Sequence, residues 1–198
     1  MKNLLVASLF ALCATSALAE DYQPFVVIDS SSEKDNLANE YIGANITLGV
    51  KGPNKFEYSV KSGVSFKDAS SNGANSTSSN VEFKIKKSFD VGLSFTPYLA
   101  LRLGEKMNPT GSPTDHGHWA IDAGLKQPLS DSFAIDVGTR YRNSLTSSVP
   151  YQSTRYHATL LYEFDKANIL GLRYTTSTST DEPKEARETW RMHYQHNY

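Results

Sequence analysis

Phe56-Glu-Tyr-Ser-Val-Lys-Ser-Gly-Val-Ser-Phe66 alternates apolar and polar residues with a single interruption, Ser62. Phe56, Tyr58, Val60, Val64 and Phe66 share one side; Glu57, Ser59, Lys61, Gly63 and Ser65 share the other. Period two is the mark of a strand with one apolar and one polar face. The run covers eleven residues, against about five or six for an ordinary strand. An aromatic stands at each end.

The same period recurs along the chain. Ile42, Ala44, Ile46, Leu48 and Val50 alternate with Tyr41, Gly43, Asn45, Thr47 and Gly49. Val81, Phe83 and Ile85 form a second set. Val91, Leu93, Phe95, Leu99, Leu101 and Leu103 form a third, with Pro97 in register. Trp119 to Leu125, Phe133 to Tyr141, Tyr156 to Phe164, Leu170 to Tyr174 and Trp190 to Tyr198 complete the series. No stretch has the period of a useful amphipathic helix; Glu182–Glu188 is the best candidate and is short and charged. The pattern predicts an all-β chain with nine clear strands, and Phe25–Asp29 supplies a tenth.

The connectors alternate in length. Ser30–Glu40, Lys67–Asn80, Gly104–Gly117, Asn143–Thr154 and Ser177–Glu188 read as long. Lys51–Lys55, Lys87–Asp90, Gln127–Ser132 and Asp165–Asn168 read as short. Tight turns at one end and polar loops at the other predict an up-and-down antiparallel barrel of about ten strands. Eight result if Phe25–Asp29 and one weak segment drop out.

Met1-Lys2-Asn3, the apolar run Leu4–Leu12 and Ala17-Leu18-Ala19 read as a secretory signal peptide over 1–19, too short for a membrane span. The mature chain is then one domain over 20–198. Cys13 is the only cysteine, and a conventional cleavage site after it argues against a lipid anchor. The mature chain therefore has no disulfide, thiolate nucleophile or cysteine metal site. The formal net charge of −1 gives no electrostatic reason for a nucleic-acid partner. After the signal there is no apolar run near the roughly 18 residues of a transmembrane helix.

Three features separate this chain from a soluble sandwich or lipocalin-like barrel. The strands have the roughly 9–11 residues that a tilted strand needs to cross a bilayer. Aromatics bracket them, as Phe56/Phe66, Phe133/Tyr141, Tyr156/Phe164 and Trp190/Tyr198, the spacing of two interfacial girdles. The polar face carries mid-strand charges, among them Arg140, Arg155 and Arg173. A transmembrane barrel turns its apolar face to lipid and its polar face to the lumen.

On this pattern the chain resembles the outer-membrane β-barrels of Gram-negative bacteria over its whole mature length. The resemblance implies an outer-membrane location, with lipid and lipopolysaccharide as surroundings. It also implies that the closing strand, Thr189-Trp-Arg-Met-His-Tyr-Gln-His-Asn-Tyr198, is read by the barrel insertion machinery. His196 departs from that strand's apolar face. A narrower likeness, carried by Arg140-Tyr141-Arg142, is to the oligogalacturonate-specific porins, which are longer, with about twelve strands and arginine-rich lumens.

The predicted lumen face is more basic than acidic. Lys61, Lys84, Lys86, Arg102, Lys126, Arg140, Arg142, Arg155, Arg173 and Arg191 stand against Glu57, Glu82, Asp122, Asp136 and Glu163, and His118, His157 and His193 share that face. Rings of Arg and Lys favour anions, so a narrow porin-like channel for small or anionic solutes is one reading. A plug of paired charges is the other, leaving surface-binding loops or a structural role. A rim hydrolase is a distant third. Thr114-Asp115-His116-Gly117-His118 has the residue types for it, but outer-membrane lipases place a serine where His118 stands. Asp115, His116 and His118 have metal-ligand chemistry, but a solvated loop tip is the preferred reading of them, and no residue pattern points to a cofactor. Asn45-Ile-Thr47 and Asn75-Ser-Thr77 match the glycosylation sequon and read as chance.

Overall fold

The computed structural model describes residues 21–36, 39–68, 75–107, 116–145, 151–179 and 186–198. The expected signal peptide and Asp115 lie outside them. Ten strands follow in order: β1 (Gln23–Asp35), β2 (Glu40–Lys51), β3 (Phe56–Asp68), β4 (Ser76–Ser88), β5 (Thr96–Met107), β6 (His116–Pro128), β7 (Phe133–Ser144), β8 (Gln152–Glu163), β9 (Asn168–Ser179) and β10 (Ala186–Asn197). Each pairs antiparallel with the next, and β1 pairs with β10, so the sheet closes. Closure gives every strand two neighbours and leaves no edge. The strand number matches the ten expected, not the roughly twelve of the narrower likeness.

The alternation places the side chains as the period demands. Leu101 is 61% exposed and Trp190 54%, although both are large and apolar. With Ile46, Leu103, Leu160, Leu172 and Met192 they form an outward band. Aromatic pairs flank it: Trp119 lies 5.6 Å from Tyr141 and Tyr174 lies 5.0 Å from Trp190 at one end. Phe133 lies 4.9 Å from Tyr162, and Tyr162 lies 4.6 Å from Phe164, at the other, which also carries both chain ends. Buried positions are mostly polar: Asp29, Glu82, His118, Asp122, Asp136 and Thr159 among them. The polar residues are inside and the apolar ones outside, the arrangement that suits a lipid surround.

Four rings are folded flat on the inner wall. His118 faces Gly104 across the ladder, Tyr98 faces Gly124, His157 faces Gly138 and His193 faces Gly171. A Cβ on Gly104 would meet His118 Cε1 at 2.8 Å, and one on Gly138 would meet His157 Cε1 at 2.8 Å. Only a missing side chain leaves room for the ring beside it.

The closing seam is charge-complementary. The inner face of β1 carries Asp29, Glu33 and Asp35; that of β10 carries Arg187 and Arg191. Arg187 Nη1 lies 2.9 Å from Glu33 Oε1, and Arg191 Nε lies 3.4 Å from Asp29 Oδ1. The Tyr198 amide donates to the Pro24 carbonyl at 2.9 Å.

Two expectations need correction. Val91, Leu93 and Phe95 are not in a strand: β4 ends at Ser88 and β5 starts at Thr96. Gly92 has φ +68°, and Asp90 Oδ1 accepts its amide at 3.3 Å while Asp90 Oδ2 pairs with Lys55 Nζ at 3.0 Å. That turn breaks the run despite its alternation. It is also as long as several connectors at the opposite end, so the strict long–short order does not hold. Conversely, β1 continues through Ser30–Asp35, and the loop expected over Ser30–Glu40 shrinks to 36–39. β4, β7, β8, β9 and β10 also run into stretches expected as loop. Beyond the aromatic band both faces are polar, so alternation vanishes while the backbone ladder goes on.

Candidate functional site: the barrel lumen

The cations expected to line a lumen all stand on the inner face. Near the end with the chain termini, Lys84 Nζ bonds Glu57 Oε1, and Lys86 Nζ lies 4.0 Å from Glu57 Oε2. Lys126 Nζ donates to Glu163 Oε1 at 3.0 Å. Lys51, which sequence reading did not place in the lumen, donates to Asn197 Oδ1 at 2.7 Å.

Two carboxylates organise the middle. Asp122 accepts Arg102 Nε at 2.7 Å and Arg140 Nε at 2.7 Å, with Arg140 Nη2 at 3.3 Å. Glu82 bonds Arg102 Nη1, with Arg142 Nη2 at 3.5 Å and His118 Nε2 at 3.4 Å. Arg102 thereby bridges the two acids, and four strands, β4 to β7, meet in one network. A second cluster forms beside it. His157 Nε2 lies 2.8 Å from Asp136 Oδ1, the Tyr98 hydroxyl donates to the same oxygen at 3.2 Å, and Arg173 Nη2 approaches it to 3.9 Å. Arg173 Nε donates to Thr159 Oγ1 at 2.7 Å.

Lys61 and Arg155 differ from the rest. Neither makes an ion pair or hydrogen bond with any described residue, and Arg155 Nε is sealed from solvent. Arg155 stands directly opposite Arg140 across the β7–β8 ladder, and Arg173 stands opposite Arg191 across β9–β10. Like charges face to face are unfavourable. Asp122 offsets the first pair on one side only, and Asp29 and Asp136 offset the second.

Tyr151 lies just before β8, at the end away from the termini, with its ring 5.5 Å from that of His116. Burial pushes its phenol up, but the Arg155 and Arg142 guanidiniums outweigh that and hold it down at about 8. His118, the second histidine of the Asp115–His118 motif, is spent on Glu82 and its seat at Gly104. The His116 and His118 rings are 6.3 Å apart. Among the described residues no group of three His, Cys, Asp or Glu side chains is placed to hold a metal ion.

Glu33, Asp35, Lys106 and Arg187 sit in stretches that read as loop and so escape the sequence reading, and Asp29 escapes it because it falls at the weakly alternating end of Phe25–Asp29. Extending the period by two or three more residue pairs reaches all four that lie in the loop stretches. Asn45, in a sequon, points inward and donates to Asp29 Oδ1 at 2.6 Å.

An outer-membrane channel of Pseudomonas putida F1 superposes with a TM-score of 0.55 at 8% identity, over 90% of this chain and 95% of that one. The fold is that of a bacterial outer-membrane β-barrel. The NanC porin superposes on this barrel with a TM-score of 0.53 at 9% identity, over 85% of this chain and 98% of that one. The β domain of the Bordetella autotransporter BrkA does so with a TM-score of 0.50 at 9% identity, over 90% and 100%. No family model matches the sequence, and no curated protein resembles it.

Proposed function

We propose that the barrel is a narrow outer-membrane channel whose lumen is net-basic and favours small anions. The observation that carries this is the surplus of inner-face cations. Lys51, Lys67, Lys86, Lys106 and Arg187 join Lys61, Lys84, Arg102, Lys126, Arg140, Arg142, Arg155, Arg173 and Arg191. Among the described residues only Asp29, Glu33, Asp35, Glu57, Glu82, Asp122, Asp136 and Glu163 oppose them. Two members of that surplus, Lys61 and Arg155, have no carboxylate within ion-pair reach among the described residues. The rings laid on glycines support the same reading, because they take up wall rather than bore.

A second reading is a sealed barrel, and the Glu82–Arg102–Asp122–Arg140 network favours it, since buried paired charges fill a small lumen. Planar-bilayer recording of the refolded mature chain separates the two. Discrete anion-selective steps that shrink in the Arg140→Ala/Arg155→Ala double variant are the expected result. A silent bilayer, with folding verified by the heat-dependent gel shift, overturns the channel and leaves the sealed barrel.

A further inference from the structure

The distribution of partners over the lumen is uneven, and the unevenness falls at one place. Glu82 is shared by Arg102, Arg142 and His118. Asp122 is taken by Arg102 and Arg140. Among the described residues no carboxylate stands within 4 Å of Arg155: Glu33, the acid whose charge does reach it, is bonded to Arg187 and Thr189, and Arg142 keeps only a 3.5 Å contact to Glu82. Arg142 Nε and Arg155 Nε are both shielded from solvent and bonded to nothing. A buried guanidinium short of counter-charge is costly, and two such groups on strands paired to each other make the cost larger. Arg142 faces Ser153 across the β7–β8 ladder, and Tyr151 and Arg155 stand on that same face two residues to either side of Ser153, with Tyr151 tied to β7 through the Ser144 amide. The three groups therefore share one patch of wall toward the mouth away from the termini; the low Tyr151 phenol agrees with two guanidiniums beside it.

We propose that Arg142, Arg155 and the Tyr151 hydroxyl bind a small tetrahedral oxyanion of the phosphate or sulfate class. The site deepens the basic-lumen reading and rests on it. Guanidinium forks match oxyanions in pairs of parallel hydrogen bonds. Two forks and a hydroxyl present donors in more than one plane, which suits a tetrahedral anion better than a planar carboxylate. The bound anion supplies the charge that Glu82 and Asp122 cannot spare.

Isothermal titration of the refolded full-length barrel in zwitterionic detergent, with inorganic phosphate as the probe, tests this. One saturable site is expected. Arg155→Gln weakens it about tenfold to a hundredfold, the range of charge-assisted hydrogen bonds, whereas Lys34→Gln, an exposed outward charge at the same end of the barrel, leaves it unchanged. Arg155→Lys, which keeps the charge and loses the fork, falls between and serves if the Gln variant does not fold. Equal heats for wild type and both Arg155 variants overturn the site, as does acetate binding as tightly as phosphate. The heats need no bilayer, so the two ideas fail separately. Phosphate binding without current sinks the channel and keeps the site; anion-selective current without phosphate binding does the reverse.

Discussion

Gly138 is fitted to its neighbours on both sides. A Cβ there would stand 2.7 Å from the Ala123 carbonyl oxygen and 2.8 Å from His157 Cε1. The backbone oxygen does not yield, so Gly138→Ala lowers stability by about 1–3 kcal/mol, the usual cost of overpacking, read as a lower urea midpoint. Leaving the seat also pulls His157 from Asp136. Tyr151 carries a prediction about pH. Its phenol is held at about 8 in the folded barrel, against roughly 10 in an unfolded chain. A depressed folded value means that ionisation favours the folded state. That contribution is complete above about pH 10 and is lost as pH falls through about 8. Phenolate absorbance therefore shows a step near pH 8 that Tyr151→Phe removes. If the two titrations superimpose, the Arg142 and Arg155 guanidiniums are not where the structure has them.

Among the elements, the turn between β4 and β5 is where reading and structure part. Phe89, Val91, Leu93 and Phe95 keep perfect alternation, yet Gly92 at φ +68° with open space around its Cβ position turns the chain back. A period reports which side chains share a face; it does not report a local φ. Gly92→Ala meets no neighbour and is strained only by its backbone, so a loss of about 1–2 kcal/mol is expected, seen as a lower temperature for the gel shift. An unchanged midpoint would mean that the turn has another conformation. The central strands were legible because one face meets lipid and the other does not, which prints the period into the sequence. Their polar extensions, such as Ser30–Asp35 and Ser76–Asn80, have two wet faces and no such imprint. The inner-face cations were legible by parity. Their pairings were not, because which acid serves which arginine depends on strand stagger around the closed sheet. Nothing in the sequence singled out Arg155 from Arg140.

At the scale of the molecule, the two tryptophans report how deep the barrel sits. Trp119 and Trp190 both face outward at the end away from the termini. Lipids brominated high on the acyl chain should quench both more strongly than lipids brominated near the chain end, as interfacial rings require. The opposite order would place the aromatic band at the bilayer centre. Closure of the barrel has a consequence of its own. β1 and β10 lie at opposite ends of the chain, and the first brings acids to their junction while the last brings bases. The two ends of the polypeptide are thus opposite poles. Their meeting is the encounter with the greatest separation along the chain, and attraction between poles acts before any backbone bond forms. Dissolved salt screens that attraction over about 10 Å at 0.1 M. The final annealing of this barrel should therefore slow as salt rises, while its intermediate hairpins, whose strands are already tethered by short turns, form at an unchanged rate.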